Sequence, residues 1–544
     1  MPDCAFAAGH PLTAETGLDV LRAGGSAADA VIAGAHMAMV AEPVLAGLLG
    51  GGFLMLREPS GRVGCLDMFV DTPGRRRPEG EVDLPAVHAD FGTTTQRFHV
   101  GAGAIAVPGL AAGLAEAHAR AGRMPMADLL APAIRAGRDG VAITAFQATL
   151  GEIIKPILTH SPSIRALACG ADGQPLAAGA ISRNPDFADV LEVLGHEGVA
   201  FVQEGEIAAG LAALAAEGGH VRRDDVARWR ARDRPPFELR RGKARVMLNP
   251  LPAVGGILAG LPLALLREGP APPPPETVAR ALAATGLARL ISGLDAEPNR
   301  GARLLADPVL RGALAEAVTL QRGDWWPTMR RGLEAAVIAG VAQRGTTHLS
   351  AIDSRGGAAA LTLSNGEGCG LVIPGTGIQP NNMLGEEDLV PPGHDGEPGA
   401  WTPGQRLSSM MTPSIVAWDD GRLAALGSGG SNRIRSAMAQ VLLRLIDGLP
   451  AGRLPDLEAA ITAPRLHVEV TDATGTPELY YERPGLMEEA ERALLAAWPE
   501  GDVAPHPFER QSMFFGGVHA VAATPGGDVA AFGDPRRAGI GLVV

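Results

Sequence analysis

Three strand–turn–strand patterns follow one another after residue 345, and they constrain the fold more than any other feature. "THLSAID" and "AAALTLS" (347–353 and 358–364) flank a Gly-Gly turn; "SIVAWDDGRLAALG" (414–427) and "GVHAVAATPGGDVAAFG" (517–533) turn through Asp-Gly and Gly-Gly. Such hairpins build antiparallel sheet. The first 345 residues read differently. "TAETGLDVLRAGG" (13–25) carries apolar residues at helical spacing and stops at Gly24-Gly25. Ser26 with Asp29 then reads as a capping box opening "AADAVIAGAHMAMV". "GLLGGGFLMLRE" (47–58) and "RVGCLDMFVD" (62–71) read as strands, and 107–140 and 277–340 as mostly helical. "PAPPPPE" (270–276) is the most linker-like segment. A helix-rich part thus precedes a strand-rich part, with the break near Thr346.

A chain of 544 residues, 46% hydrophobic and 20% charged, buries a sizeable core and is not disordered. Its 47 basic and 60 acidic residues leave −13, which argues against a nucleic-acid or anionic-membrane surface as partner. Cys4, Cys65, Cys169 and Cys369 are far apart and form no CxxC. They read as isolated thiols in a reducing compartment. The N-terminus lacks a charged region followed by an apolar one, and no run of about 18 apolar residues occurs, so a cytoplasmic protein without a membrane span is expected.

The thirteen histidines do not cluster at ligand spacings, so no metal is expected; no cofactor motif is found either. The glycine run at 50–52 precedes a strand and lacks the GK[ST] of a phosphate loop. "LGSGGSNRI" (426–434) is not a serine nucleophile elbow, because Leu426 stands where glycine is needed two residues before Ser428. It reads better as a turn offering backbone N–H groups to something anionic.

"GTTH" (345–348) raises a sharper question. A threonine hydroxyl is a weak nucleophile until a base sits beside it, and an N-terminal threonine carries that base as its own α-amino group. Such an amine has a pKa of roughly 7.7 to 8.0, so it is substantially neutral near working pH. Cleavage between Gly345 and Thr346 would create it, and glycine before the bond leaves the carbonyl open to attack. Taken alone, "GTTH" reads more simply as a loop before a hairpin.

Other motifs change that balance. "TTHLSAID", "NNML", "LSSMMTPSIV", "GSGGSNRI", "APRLHVE" and "GDPRR" resemble, in order and spacing, the γ-glutamyltranspeptidase family of N-terminal nucleophile hydrolases. "HPLTAETGLDVLRAGGSAADAVIA", "GGGFLML", "VPGLAAG", "MADLLAPAIRAGRDG" and "GGI" (255–257) follow the pattern of its large subunit, so the resemblance spans nearly the whole chain.

The resemblance implies an α/β (α+β) fold, a four-layer αββα sandwich of two mostly antiparallel sheets flanked by helices. It implies a precursor that cuts itself into a large subunit (1–345) and a small one (346–544), interleaved in one domain and held as a heterodimer. Thr346 would attack a small-molecule amide, and water or an amine would take the acyl group. Ser364 falls where the family has a threonine bonded to the nucleophile, with Thr362 on the same strand face. Asn365 approximates the family's substrate-binding asparagine, allowing for one deleted residue. Ser408 and Ser409 match the serines that contact the substrate's carboxylate end. Gly429, Gly430 and Ser431 match the oxyanion turn, with the two donating amides ambiguous by one position.

Two positions bear on substrate. Phe69, in "LDMFVDTP" (66–73), aligns with the family's carboxylate-clamping arginine, and phenylalanine makes no such clamp. Glu386 or Glu387 would replace the acidic residue that holds the substrate's α-amino group. A γ-glutamyltranspeptidase-like amidohydrolase is therefore expected. The alternatives are a cephalosporin-acylase-like enzyme acting on a non-γ-glutamyl amide, and a non-catalytic homologue.

Overall fold

A computed structural model describes residues 3–90, 95–294, 297–306, 308–319, 345–386, 390, 401–470, 476–498 and 501–544. Two antiparallel sheets dominate them. Their strands are β1 (Ala5–Ala8), β2 (Gly51–Arg57), β3 (Val63–Met68), β4 (Arg232–Arg234), β5 (Phe237–Arg241), β6 (Ala244–Leu248), β7 (Thr347–Ile352), β8 (Ala358–Ser364), β9 (Ser414–Trp418), β10 (Leu423–Gly429), β11 (Gly517–Ala523), β12 (Val529–Gly533) and β13 (Ile540–Val543). One sheet runs β13-β1-β7-β8-β2-β3-β4 and the other β12-β11-β10-β9-β6-β5. Both contain strands from before and after residue 345, and β1 sits between β13 and β7. The two halves of the chain therefore share one core.

Side-chain alternation builds the layers. Along β2, Phe53 and Met55 enter the space between the sheets, whereas Leu54 packs on the outer helices. Along β8, Ala358 and Ala360 face inward, and Ala359, Leu361 and Leu363 outward. Helices α1 (Pro11–Arg22) and α2 (Ala27–Ala41) cover the first sheet; α3 (Gly255–Leu265), α4 (Pro275–Ser292) and α5 (Arg433–Ile446) cover the second. The result is an αββα sandwich.

The capping box opening α2 is present: Ser26 Oγ accepts from Asp29 N at 3.0 Å, and Asp29 Oδ2 accepts from Ser26 N at 2.8 Å. All three hairpin patterns form, as β7–β8, β9–β10 and β11–β12. The linker-like "PAPPPPE" marks no domain boundary: Pro275 opens α4, whose Val278, Leu282 and Leu287 lie in the core. Residues 320–340 of the expected helical stretch lie outside the described residues.

Candidate active site

The β7–β8 hairpin is the mount of the site. Thr347 pairs with Leu363, so Thr346 and Gly345 extend alongside Ser364 at the open end of the hairpin. Ser364 Oγ donates to the carbonyl oxygen of Gly345 and accepts from Gly366 N at 2.9 Å. Gly345 N donates to Glu367 Oε1 at 2.7 Å. A Cβ on Gly345 would lie 2.7 Å from Gly366 O and 3.0 Å from Val44 O, so the position admits no side chain. Gly345 is thus held at both its N–H and its C=O, and Thr346 is 3% exposed. The Ser364 hydroxyl meets the carbonyl that precedes Thr346, where the resemblance led one to expect a bond to the nucleophile.

A turn closes over the same atoms. Strand β10 ends at Gly429, the chain passes through Gly430, Ser431 and Asn432, and α5 begins at Arg433. A Cβ built on Gly429 would come within 2.1 Å of the Thr346 carbonyl oxygen and 3.3 Å of Arg537 Nη1. Gly430 has φ +125°, and Ser431 has φ +58°, a conformation that non-glycine residues adopt at a cost of order 1 kcal/mol or more and that clusters at functional sites. Ser431 and Ile434 bring the first turn of α5 to the site, and a helix N-terminus favours negative charge. The Arg537 guanidinium packs behind Gly429 and Gly430; burial pulls its pKa down to about 10, which leaves it charged at neutral pH. A tight turn, a helix terminus and a buried cation therefore lie together beside Thr346.

In front of the turn lies a small cavity. Phe69, Met383, Met410, Met411 and Ile434 give it an apolar wall; Thr346, Ser364, Glu386, Ser409 and Ser431 supply the polar edge. Among the described residues no arginine, lysine or histidine lines it. Phe69 is buried and stacked on Phe53, with ring centroids 5.3 Å apart. The arginine behind the Phe69 strand end, Arg406, is committed elsewhere: it is paired with Asp67 and Asp71 and lies 4.9 Å over the Trp229 ring.

The other sequence-derived candidates divide. Ser409 lines the cavity, whereas Ser408 Oγ turns away to donate to Pro252 O at 2.8 Å. Thr362 shares the inner face of β8 with Ser364, but its hydroxyl bonds His348 Nδ1 at 2.7 Å, and His348 Nε2 continues to Ser350 Oγ at 2.8 Å. Burial holds that imidazole neutral, with His519 adding to the effect. Asn365 Nδ2 donates to Gln379 O at 3.1 Å, and the side chain packs against Gly47 rather than the cavity. Glu386 is at the cavity edge, its Oε1 2.5 Å from where a Cβ of Gly366 would stand; Glu387 lies outside the described residues.

Two groups at the site carried no local sequence signal, Glu367 and Glu42; a third, Arg537, ends the GDPRR motif but was given no role from sequence. Glu42, the residue after α2, accepts from Thr347 Oγ1 at 3.1 Å and from Thr13 Oγ1 at 3.3 Å. Burial pushes its pKa up from 4.5 to about 7, opposed by those two hydroxyls and by Arg537. Between those pH values the folded protein keeps a proton that the unfolded chain has released, so stability falls as pH rises through that window and stays lower above it. Glu42→Gln is expected to remove this fall, stabilising the protein at pH 8 by at most about 3 kcal/mol while leaving pH 4.5 nearly unchanged. Melting curves at the two pH values check this; an unaltered pH slope in the variant contradicts it.

A family model for gamma-glutamyltranspeptidase matches residues 13–544. The acylase ACY 1 proenzyme of Pseudomonas sp. (strain SE83) is 29% identical over 535 residues, covering 95% of this chain and 89% of the relative. The glutathione hydrolase proenzyme of Pseudomonas aeruginosa is 28% identical over 559 residues, covering 99% and 94%. Among solved structures, the cephalosporin acylase from Bacillus halodurans superposes with a TM-score of 0.76 at 24% identity, covering 100% of this chain and 96% of that one, and so shares its fold.

Proposed function

The chain belongs to the gamma-glutamyltranspeptidase family, and from that premise we propose that it cuts itself between Gly345 and Thr346 and then acts as an acylase on amides whose acyl group lacks a carboxylate. It is an enzyme of the N-terminal nucleophile type. In self-cleavage Thr346 Oγ attacks the Gly345 carbonyl carbon; the C–N bond breaks, the Thr346 amine is freed, and water hydrolyses the resulting ester. In turnover the freed amine takes the Thr346 hydroxyl proton as Oγ attacks the substrate carbonyl, and passes it to the leaving amine. The turn at Gly429–Ser431 with Arg537 supports the tetrahedral oxyanion. Water or an acceptor amine then releases the acyl group from Thr346.

The observation that carries the substrate reading is the composition of the cavity wall. Phe69 and three methionines surround the space next to Thr346, no cation among the described residues lines it, and Arg406 is held by two aspartates. A free α-carboxylate would enter this site without a partner, at a cost of several kcal/mol. Glu386 at the edge suits a cationic amine. The acyl group that fits is an apolar chain with an amine and no carboxylate, which favours an acylase over a glutathione hydrolase. We propose that Thr346, Ser364, Ser409, Glu386, Gly430 and Ser431 serve the reaction, and that the two fragments stay together as a heterodimer. The four unpaired thiols support a cytoplasmic setting.

The 4-nitroanilides of γ-glutamate and 4-aminobutyrate test this, because they differ only by the carboxylate. The wild type is expected to turn over the 4-aminobutyryl compound at least about tenfold better in kcat/KM. Phe69→Arg is expected to shift the preference toward γ-glutamyl by about 10- to 100-fold, the worth of a charge-assisted bidentate pair. A wild type that prefers γ-glutamyl sinks the Phe69 argument.

A further inference from the structure

Glu367 sits in a loop bent to an unusual degree. Gly366 (φ +64°) and Gly368 (φ +84°) flank it, both in the left-handed region, and the loop is pinned by a bond from Glu367 N to Asn382 Oδ1 at 2.9 Å. The result aims a buried carboxylate at Gly345 N, 2.7 Å away. Glu367 does not line the acyl cavity. Its partner Gly345 lies on the side of the chain that departs on cleavage, and so does the carbonyl bound by Ser364.

We propose that Glu367 is a positioning residue for self-cleavage and not for turnover: its carboxylate and the Ser364 hydroxyl form a two-point clamp on Gly345 that presents the carbonyl carbon to Thr346 Oγ. The inference rests on the proposed cleavage before Thr346. Glycine is the residue with the most backbone freedom, and it is also the one residue that fits against Gly366 O and Val44 O. A glycine that sterics require at this point must be oriented by bonds to its own N–H and C=O, because it has no side chain to hold. Glu367 supplies the first of those bonds and gains or loses no atom. During the step the Oγ–C bond forms at the Gly345 carbonyl, the peptide C–N bond breaks, and the Thr346 hydroxyl proton ends on the freed amine. Once water has released the ester, Gly345 leaves with its new carboxylate and the clamp has nothing to hold. Turnover, by contrast, engages the cavity and the turn at Gly429–Ser431.

The test compares wild type, Glu367→Gln and Glu367→Ala by the rate at which purified precursor splits and, separately, by kcat/KM of the fully split fraction on an acyl 4-nitroanilide. A loss of orientation at a reacting centre costs on the order of 100-fold. Glu367→Ala is expected to slow splitting by about that factor and Glu367→Gln by less, because its amide oxygen still accepts from Gly345 N. The matured fractions are expected to stay within about threefold of wild type in kcat/KM, a small departure beside the 100-fold loss in orientation. Melting of each precursor, compared with uncleaved Thr346→Ala, separates slow splitting from poor folding. Splitting at the wild-type rate in both variants overturns the proposal, as does an equal loss in splitting and turnover. A wild type that never splits overturns the underlying assignment of Thr346 instead, an outcome these variants cannot mimic.

Discussion

Thr346→Ala is expected to stay a single chain and to release no acyl product. Alanine at this position has no oxygen to attack the Gly345 carbonyl, and without the cut no α-amine exists to act as base. The two losses are coupled, so the variant should fall to the uncatalysed background, a drop of at least about 10⁴-fold when a covalent nucleophile and its base are lost together. Its fold should survive. Thr346 presents one small side chain in a site held by backbone contacts, and the hairpin register, the sheet order and the Glu367–Gly345 bond do not depend on its hydroxyl. Denaturing electrophoresis and a nitroanilide assay read both consequences at once. A split Thr346→Ala would mean that the cut is made by another group.

The second large effect is expected at Gly429, by a different route. An added Cβ would lie only 2.1 Å from the Thr346 carbonyl oxygen and 3.0 Å from the Thr346 carbonyl carbon. Both obstacles are backbone, so neither can rotate aside. Gly429→Ala must therefore push the nucleophile residue and the turn apart. Removal of one oxyanion donor typically costs about 10²- to 10³-fold in kcat, and a displaced turn should cost at least that. Overpacking at this point adds about 1–3 kcal/mol of instability. Gly64→Ala is the matched control: Gly64 also lies on a strand, but its added methyl would meet nothing within 4 Å. Equal activity in the two variants would show that the turn does not press on Thr346.

How much of this was legible in the sequence depends on the range of each interaction. The capping box at Ser26 and Asp29 and the three hairpins are local, so period and turn chemistry revealed them. The register that brings Ser364 beside Thr346 follows from the same hairpin. Phe69 was legible as a departure at an aligned position, and it lines the same cavity as Thr346. Thr362 and Asn365 show where strand periodicity stops being informative. Thr362 does share the face of Ser364, yet it stands two residues deeper, where His348 on the neighbouring strand takes its hydroxyl. Asn365 follows the end of β8, and its side chain turns toward Gln379. Ser408 and Ser409 looked equivalent as neighbours, but consecutive residues of an extended chain point opposite ways and one alone reaches the cavity.

Glu42 and Glu367, and the role of Arg537 at the end of GDPRR, could not be read because their partners are distant or lie in loops. Glu42 meets Thr347 across 305 positions of sequence, and Arg537 reaches the Gly429 turn from the far end of the chain. One general signal was available for each: a charged residue that the fold must bury. Arginine and glutamate are seldom fully buried without a purpose, and these three meet Thr347, Gly345 and the Gly429 turn. The strained Ser431 belongs with them, since its backbone conformation is set by the junction of β10 and α5 and not by its own preference.

The central claim, that Thr346 becomes an N-terminus, is tested most directly by the intact mass and N-terminal residue of each chain in purified, incubated wild-type protein. Two chains are expected, the smaller beginning with threonine and having the mass of residues 346–544, and the larger ending at Gly345. A single chain of 544 residues after prolonged incubation, or a smaller chain that begins at any other residue, would contradict the account.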